Sequence, residues 1–203
     1  MPLFFRKNLD ANTQLGIWKM DETEEQLFEH HPFLKRFEDE VNTRFHNKTR
    51  RLEYLSIRVL TAFLIEDTTY SISYTKDGKP LLSDGRHISI SHTKEYAAVI
   101  VSTTSQVAVD IERKGRNLQR IRSHFMRKDE VANNDDELLI HWCAKETMYK
   151  LFPDDHLMTE EIQVVFTKDT DRKSLTGINI KKNISVNLHC IDFQHLTITY
   201  SIL

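Results

Sequence analysis

Hydrophobic residues follow two different spacings along the chain, and the spacing changes from helical to strand-like twice. The stretch 24–64 is predicted to be mainly helical, and its second half has near-helical spacing at Leu52, Leu55, Leu60, Phe63 and Leu64. Segments with the alternation or apolar character of strands lie on either side, with short polar turns between the later ones. These predicted strands are 3–6, 15–19, 70–74, 88–91, 96–101 and 107–112.

A second helical stretch covers about 136–152, with Asn134 or Asp135 as its N-cap and Pro153 just beyond its end. Four alternating segments then close the chain: 161–168, 174–181, 184–191 and 196–202. A helix-then-strands pattern therefore occurs twice. This predicts an α+β protein of two similar halves, 1–101 and 102–203, each with a small, mainly antiparallel sheet packed on a helix.

The composition is that of an ordinary globular protein, with 203 residues, 39% hydrophobic and 29% charged. A net charge of −2 argues against a general polyanion binder, so any basic surface must be local. Cys143 and Cys190 lack metal-site spacing, which favours a reducing compartment. The N-terminus does not have a signal-peptide pattern, and no apolar run reaches the roughly 20 residues of a membrane helix. We expect a soluble, cytoplasmic protein that does not bind a membrane.

The strand 107–112 ends with two acidic residues on one face. Side chains alternate along a strand, so Val107, Val109 and Ile111 should share the core face, and Ala108, Asp110 and Glu112 the other. Neighbouring carboxylates repel each other unless a cation lies between them. Taken alone, the pair is also what an ordinary solvent-facing strand end would contain.

Glu146 changes that interpretation, because it lies within an apolar stripe of the second long helix. The other members of this stripe are Leu139, Trp142, Cys143 and Tyr149. A carboxylate there is costly to bury unless it is paired or metal-bound. Lys150, one turn on, is one possible partner. The alternative is that Glu146 joins Asp110 and Glu112 as an oxygen ligand of Mg²⁺, since no cysteine or histidine at ligand spacing favours zinc.

Several polar and basic residues are candidates for phosphate contacts. Ser91 and His92 end a strand, Lys79 follows Gly78 in a turn, and Lys145 and Lys150 flank Glu146. Taken singly, His92 is better explained as an ordinary surface histidine at a turn, and the three lysines are also compatible with ordinary turn or helix-surface positions.

The segment 113–128 is strongly basic and contains no acidic residue. Its basic residues are Arg113, Lys114, Arg116, Arg120, Arg122, Arg127 and Lys128. Such a local patch favours docking of an acidic protein by electrostatic attraction. Nucleic acid ranks below a protein partner because no aromatic platform or nucleic-acid-binding motif accompanies the patch.

Four motifs, in order, resemble those of the 4′-phosphopantetheinyl transferase superfamily, in its longer, surfactin-synthetase-activator-like branch. They are Gly78-Lys79-Pro80, Ser89-Ile90-Ser91-His92-Thr93, the strand Val107–Glu112, and the helical run Trp142–Lys150. The matches span 78–150, and each is weak alone. The chain has Ala108 where that family usually has glycine, Ser89 where asparagine is frequent, and Thr93 where serine is common.

The resemblance implies an enzyme that transfers 4′-phosphopantetheine from coenzyme A to a serine of an acyl- or peptidyl-carrier protein, with release of adenosine 3′,5′-bisphosphate. It implies two α+β halves related by pseudo-twofold symmetry, with the active site and coenzyme A in the cleft between them. It also implies a monomer, with an acidic carrier protein docking near Arg113–Lys128.

The resemblance also implies roles for individual residues. Mg²⁺ would be bound by Asp110, Glu112 and Glu146, and Asp110, Glu146 and Lys150 would be catalytic. Glu146, or a water that it holds on the metal, would take the serine proton. The remaining candidates would contact the diphosphate or the nucleotide: His92, Lys150, Lys145, Lys79, Ser91 and, at the start of a basic helix, Arg51. Two alternatives remain open, a Mg²⁺-dependent phosphodiester-cleaving enzyme and a non-catalytic coenzyme A-binding relative.

Overall fold

A computed structural model describes residues 2–166 and 174–203, and the chain folds into two compact units. The first contains the residues up to Ser73 together with Pro80–Thr104, and the second contains Tyr74–Lys79 and Ser105–Leu203. The short segment 74–79 thus groups with the second unit, a detail that a simple division at 101/102 does not contain. The end of the predicted strand 161–168, at Thr167 and Lys168, lies outside the described residues.

The first unit is built on a four-stranded antiparallel sheet. The described strands that precede residue 105 are β1 (Leu3–Asn8), β2 (Thr13–Lys19), β3 (Ile72–Tyr74), β4 (Pro80–Leu82), β5 (His87–Thr93) and β6 (Tyr96–Ser102). The sheet order is β1-β2-β6-β5, and β3 pairs with β4 separately. Every residue of β6 is buried, as its nearly continuous apolar sequence requires.

Four helical segments belong to the described residues of the first unit, and the longest packs directly on the sheet. They are α1 (Glu24–His30), a 3₁₀ helix (Pro32–Phe37), α2 (Glu38–Arg44) and α3 (Lys48–Ile65). Asn47 caps α3, since its Oδ1 accepts a 2.8 Å hydrogen bond from the Thr49 amide. The helix α3 packs on β2 and β6, and Leu55, Leu60 and Val99 are fully buried in the shared core. Burial of each such side chain contributes about 1.5–3 kcal/mol.

The second unit is a five-stranded antiparallel sheet with one long helix. Its elements are β7 (Val107–Arg113), α4 (Arg122–Phe125), α5 (Asp135–Leu151), β8 (Ile162–Phe166), β9 (Ser174–Asn179), β10 (Ile184–Phe193) and β11 (Leu196–Ile202), with 3₁₀ turns at Gln119–Ile121, Pro153–Asp155 and Thr159–Glu161. The strand order is β7-β11-β10-β9-β8. Asn134 caps α5, because its Oδ1 accepts a 2.9 Å hydrogen bond from the Glu137 amide.

The helix α5 approaches the sheet closely at a glycine. A Cβ atom at Gly177 of β9 would lie 2.4 Å from Met148 Sδ and 2.8 Å from Leu188 Cδ1. No larger residue fits there unless these side chains move. The missing side chain lets Met148 pack into the sheet, and this seats α5, which also packs on β7 and β11.

The prediction of an α+β fold with antiparallel sheets and packed helices is confirmed. The N-cap at Asn134 is also confirmed, and α5 begins and ends within about one residue of its predicted bounds. Within the described residues, no helix is both long enough and apolar enough to cross a membrane.

Two details of the predicted faces are corrected. Ala108 is fully buried against Ile140, Ala144 and Met148, so the face of β7 that carries Asp110 and Glu112 is the face turned toward α5. The face with Val107, Val109 and Ile111 is buried as well, so β7 has no solvent-facing side over most of its length. Tyr149 does not belong to the buried stripe, because it is 50% exposed.

Candidate functional site

Asp110 and Lys150 form an ion pair between β7 and α5. Lys150 Nζ lies 2.8 Å from Asp110 Oδ1 and donates a second hydrogen bond, of 3.0 Å, to the Val109 carbonyl. Asp110 is only 5% exposed, whereas the Lys150 side chain keeps about a quarter of its surface in solvent. The sequence suggested Lys150 as a partner of Glu146, but the direct pairing is with the strand carboxylate.

Glu112, two residues along the same face of β7, has two partners at one oxygen. Trp142 Nε1 donates a 3.1 Å hydrogen bond to Glu112 Oε1, and the Arg116 guanidinium pairs with the same oxygen. The Arg116 guanidinium also lies over the Trp142 indole, 4.8 Å from the ring centroid. This is a cation–π contact, which adds to the ion pair between Arg116 and Glu112.

Glu146 is half-buried on α5, one turn before Lys150 and one turn after Trp142. Burial and the negative charge of Asp110 raise the pKa of Glu146, while the positive charges of Lys150 and Arg116 oppose that rise. These four charged groups lie in one region of the second unit, and the ion pair of Arg116 links them to Glu112. We call Asp110, Glu112, Glu146, Lys150 and Arg116 the carboxylate site.

The donor chemistry of this site fits Mg²⁺, although the three acids are not assembled as a finished metal cluster. Residues 2–166 and 174–203 contain no group of three or more histidine, cysteine, aspartate or glutamate side chains arranged to hold a metal as the chain stands. Carboxylate oxygens are nevertheless the ligands that Mg²⁺ prefers. Burial and the repulsion by Asp110 raise the pKa of Glu146, and a cation near both carboxylates would relieve the repulsion.

Lys145 is not part of the carboxylate site, and its expected role as a phosphate contact is withdrawn. Its Nζ lies 2.9 Å from Glu130 Oε2 and donates to the carbonyls of Ile162 at 2.8 Å and Thr159 at 3.2 Å. An ammonium group has three donors, and these partners use them all. The side chain is 4% exposed, so Lys145 holds the interior of the second unit together.

Glu130 and His141 complete this interior cluster, and neither residue was predicted from the sequence. Both side chains are almost fully buried, and Glu130 also accepts hydrogen bonds from the amides of Val164 and Arg127, at 2.7 and 2.8 Å. Burial lowers the pKa of His141, against the attraction of Glu130. One pattern could have pointed to them. The helix α5 has apolar residues on more than one face, which indicates that it is enclosed on several sides, so its polar residues need partners inside the protein.

Ser91 and His92 belong to the first unit, at the end of β5. Ser91 is buried, while His92 is partly exposed beside α3. His92 Nε2 lies 2.7 Å from an Arg50 guanidinium nitrogen and 3.3 Å from Glu53 Oε2. His92 is therefore one member of a small polar cluster with an arginine and a glutamate.

Arg51 has several partners in the first unit. It forms a two-pronged ion pair with Glu24, which includes a 2.7 Å bond from Nε to Glu24 Oε2, and it donates to Asn42 Oδ1 at 2.8 Å. These bonds tie α3 to α1 and α2. Arg51 also lines a cavity of about 730 Å³ beside His46 and Lys48. An anion in that cavity would compete with Glu24 for the guanidinium.

Lys79 lies where the turn after β3 leads into β4. The Thr75 amide donates a 3.0 Å hydrogen bond to the Lys79 carbonyl, and Gly78 adopts a left-handed conformation with φ of 83°. The turn prediction is confirmed, and the Gly78 conformation is one that most other residues adopt at a cost.

The basic segment 113–128 contains two classes of residue. Arg127 pairs with Asp129, and Arg122 donates to the Ala132 carbonyl at 3.3 Å, so these two support the local fold. Arg120 and Lys128 are exposed and available to a partner. Fewer basic side chains are thus available for docking than the seven in the sequence of this segment.

No known family model matches this chain, and no curated protein matches it. The functional conclusion therefore depends on the residues and on the geometry of the carboxylate site.

Proposed function

We propose that this protein transfers 4′-phosphopantetheine from coenzyme A to a serine of an apo carrier protein. The observation that carries the proposal is the carboxylate site, in which Asp110 and Glu112 come from one strand face and Glu146 from one helix, with Lys150 paired to Asp110 and Arg116 paired to Glu112. The motif resemblance over 78–150 supplies the substrate class.

The side chains suit displacement at a diphosphate, where positioning and charge neutralisation dominate. Lys150 is held by Asp110 and the Val109 carbonyl while part of its surface stays open to solvent, and this supports a proposed role in contacting the diphosphate. When bound, Mg²⁺ would be held by Asp110, Glu112 and Glu146 and would neutralise charge on the phosphates.

Glu146 is the best-placed proton acceptor. Its raised pKa brings it closer to neutrality than an ordinary carboxylate, which favours general-base action. In the reaction, the serine hydroxyl proton passes to the Glu146 carboxylate as the serine oxygen bonds to the β-phosphorus of coenzyme A. The bond from that phosphorus to the bridging oxygen breaks, and adenosine 3′,5′-bisphosphate leaves with the electron pair.

Other parts of the proposal concern binding. His92, Ser91, Lys79 and Arg51 remain candidates for diphosphate and nucleotide contacts, and Arg51 would exchange Glu24 for phosphate. The pseudo-twofold relation of the halves, the cleft between them and the monomeric, cytoplasmic state belong to the same proposal. So does docking of an acidic carrier protein, rather than nucleic acid or a membrane, near Arg113–Lys128.

The test is a mass measurement on an apo carrier protein incubated with coenzyme A. Wild-type protein with Mg²⁺ should add a phosphopantetheine group and release an equal amount of adenosine 3′,5′-bisphosphate, and EDTA should abolish both. Asp110→Asn should slow transfer by at least about 100-fold, the scale of losing one charge-stabilising group. The matched control is Asp154→Asn, which removes an exposed acid of the same unit and should leave the rate unchanged.

Three results would contradict the proposal. One is near-normal transfer by Asp110→Asn, which would remove the carboxylate site from catalysis. Another is coenzyme A binding with no mass shift on any fatty-acid, polyketide or peptide carrier, which would indicate a non-catalytic relative. The third is Mg²⁺-dependent cleavage of a phosphodiester substrate without transfer, which would indicate a hydrolase.

A further inference from the structure

Glu112 Oε1 is shared by two groups that also contact each other. Arg116 pairs with this oxygen, Trp142 Nε1 donates to it at 3.1 Å, and the guanidinium lies over the indole ring. The three side chains form a closed triangle at the edge of the carboxylate site. An oxygen with a guanidinium beside it is poorly placed to bind a second cation.

The three members of the triangle differ in how firmly the fold holds them. Glu112 lies on β7, Trp142 on α5, and Arg116 on the irregular segment that follows β7. The Arg116 side chain is 41% exposed, while that of Glu112 is 13% exposed. Exposed ion pairs are weak and readily exchanged. Arg116 is therefore the member that can leave while Glu112 and Trp142 keep their positions.

Charge balance indicates what would replace it. Lys150 pairs with Asp110 and Arg116 pairs with Glu112, while Glu146 lies on α5 one turn from Lys150, so two cations face three carboxylates in this region. A divalent cation bound to these oxygens would supply more positive charge than Arg116 does, at a shorter distance. Arg116 would then be repelled by the ion that took its place.

We propose that Arg116 is a displaceable counter-ion of the carboxylate site. Without a divalent cation, its guanidinium occupies Glu112 and is held over Trp142; binding of the cation moves it away from both. The inference rests on the proposed Mg²⁺ site. It adds Arg116 as a competitor of the metal ion and Trp142 as a fluorescent reporter of binding. It also explains why the described residues contain no finished three-acid metal cluster, because Arg116 occupies Glu112, one of the three proposed ligands.

Trp142 makes the displacement measurable without any substrate. Its indole touches both the departing guanidinium and the carboxylate that gains a metal, so its fluorescence should change on binding. The chain has two tryptophans, Trp18 and Trp142, and Trp18 lies in the core of the first unit. Trp18→Phe would leave Trp142 as the sole reporter, after circular dichroism has shown that this variant folds.

The experiment titrates Mg²⁺ and then Mn²⁺ into Trp18→Phe protein, with and without Arg116→Gln. We expect a saturable change in Trp142 emission, quenching by Mn²⁺, and a threefold to tenfold lower apparent Kd for Mg²⁺ in Arg116→Gln, the scale of a lost exposed ion pair with a ring contact. Arg120→Gln is the matched control, because it removes one exposed charge from the same segment. Isothermal titration of the chain with Trp18 intact provides the same Kd comparison.

The outcomes separate the inference from the function on which it rests. If Mg²⁺ binds, and Asp110→Asn abolishes binding, but Arg116→Gln shifts the Kd no more than Arg120→Gln does, the counter-ion role is overturned and the metal site stands. If neither Mg²⁺ nor Mn²⁺ gives a saturable signal or heat with wild-type protein, both the metal site and the counter-ion role are overturned.

Discussion

Two lysines of α5 pair with carboxylates, and their surroundings are opposite. Lys145 is 4% exposed, and its partner Glu130 is 1% exposed, with every ammonium proton used. Lys150 lies only five residues on, pairs with Asp110 at an almost equal distance, and is 26% exposed. The interior pair is closed off from solvent, whereas the outer pair opens toward it.

The charge balance of the two regions differs as well. Around Lys145, backbone amides and carbonyls satisfy the polar groups that the ion pair leaves over, which is the condition for a stable buried network. Around Lys150, three acids share two basic partners, and burial together with the negative charge of Asp110 raises the pKa of Glu146. A perturbed carboxylate that can reach solvent is typical of a functional site, while a closed, satisfied pair is typical of structure.

The largest expected effect is on the interior pair. Lys145→Met should lower the free energy of unfolding by about 3–5 kcal/mol, because it leaves Glu130 charged and buried without its partner. Urea denaturation followed by circular dichroism measures this change. Transfer activity per folded molecule should be retained. A midpoint equal to that of wild type would show that the interior pair is not what holds α5 in place.

The outer pair should give the reverse result. Lys150→Met should reduce transfer by about 100- to 1,000-fold, the effect of losing one positioned charge. The free energy of unfolding should fall by about 1–3 kcal/mol, less than in Lys145→Met, because the site that Lys150 leaves opens to solvent beside the Asp110 carboxylate. The transfer rate and the free energy of unfolding should be measured on the same preparation of each variant, in parallel with Lys145→Met. Equal stability losses in the two variants would remove the distinction between the pairs.

The smallest expected effect is a gain in stability. The pKa of Glu146 is raised above its ordinary value of 4.5, so the folded state disfavours its charge. Below the unfolded-state pKa the residue is neutral in both states and there is no penalty; above the folded-state pKa the penalty is complete. Glu146→Gln should therefore raise the free energy of unfolding by up to about 1 kcal/mol at pH 7.

The same variant should match wild type in stability at pH 4 and should lose transfer activity at pH 7. Urea melts at the two pH values provide the check. A loss of stability in Glu146→Gln at pH 7 would mean that the Glu146 carboxylate is held by favourable contacts, in contrast to the excess of negative charge described above.

Local sequence signals accounted for most elements of the fold. The strand β11 has its predicted bounds, and α5 begins after the predicted cap Asn134, because period and capping are properties of neighbouring residues. The placement of Asp110 and Glu112 on one strand face could also be predicted from neighbouring residues, because side chains alternate along a strand. The partners of these residues were harder to predict: Lys150 pairs with Asp110 and Trp142 with Glu112, across long separations in sequence.

The role of Lys145 could not be predicted from its own position on the helix. Its partner, Glu130, lies in the stretch between α4 and α5, which lacks a regular hydrophobic period. Without that period, no rule places a side chain of this stretch beneath the helix. The same holds for Arg116, whose position depends on the path that the chain takes after β7. Tertiary packing, rather than local preference, decides both cases.

The five-residue step from Lys145 to Lys150 has a consequence for how this protein tolerates change. A helix turns by about 100° per residue, so the two ammonium groups leave α5 in different directions and serve different regions. One residue inserted between them would swing Lys150 away from Asp110 while Lys145 stayed anchored. Insertions or deletions in this stretch of α5 should therefore abolish transfer in molecules that still fold, which makes the length of the stretch as constrained as its residues.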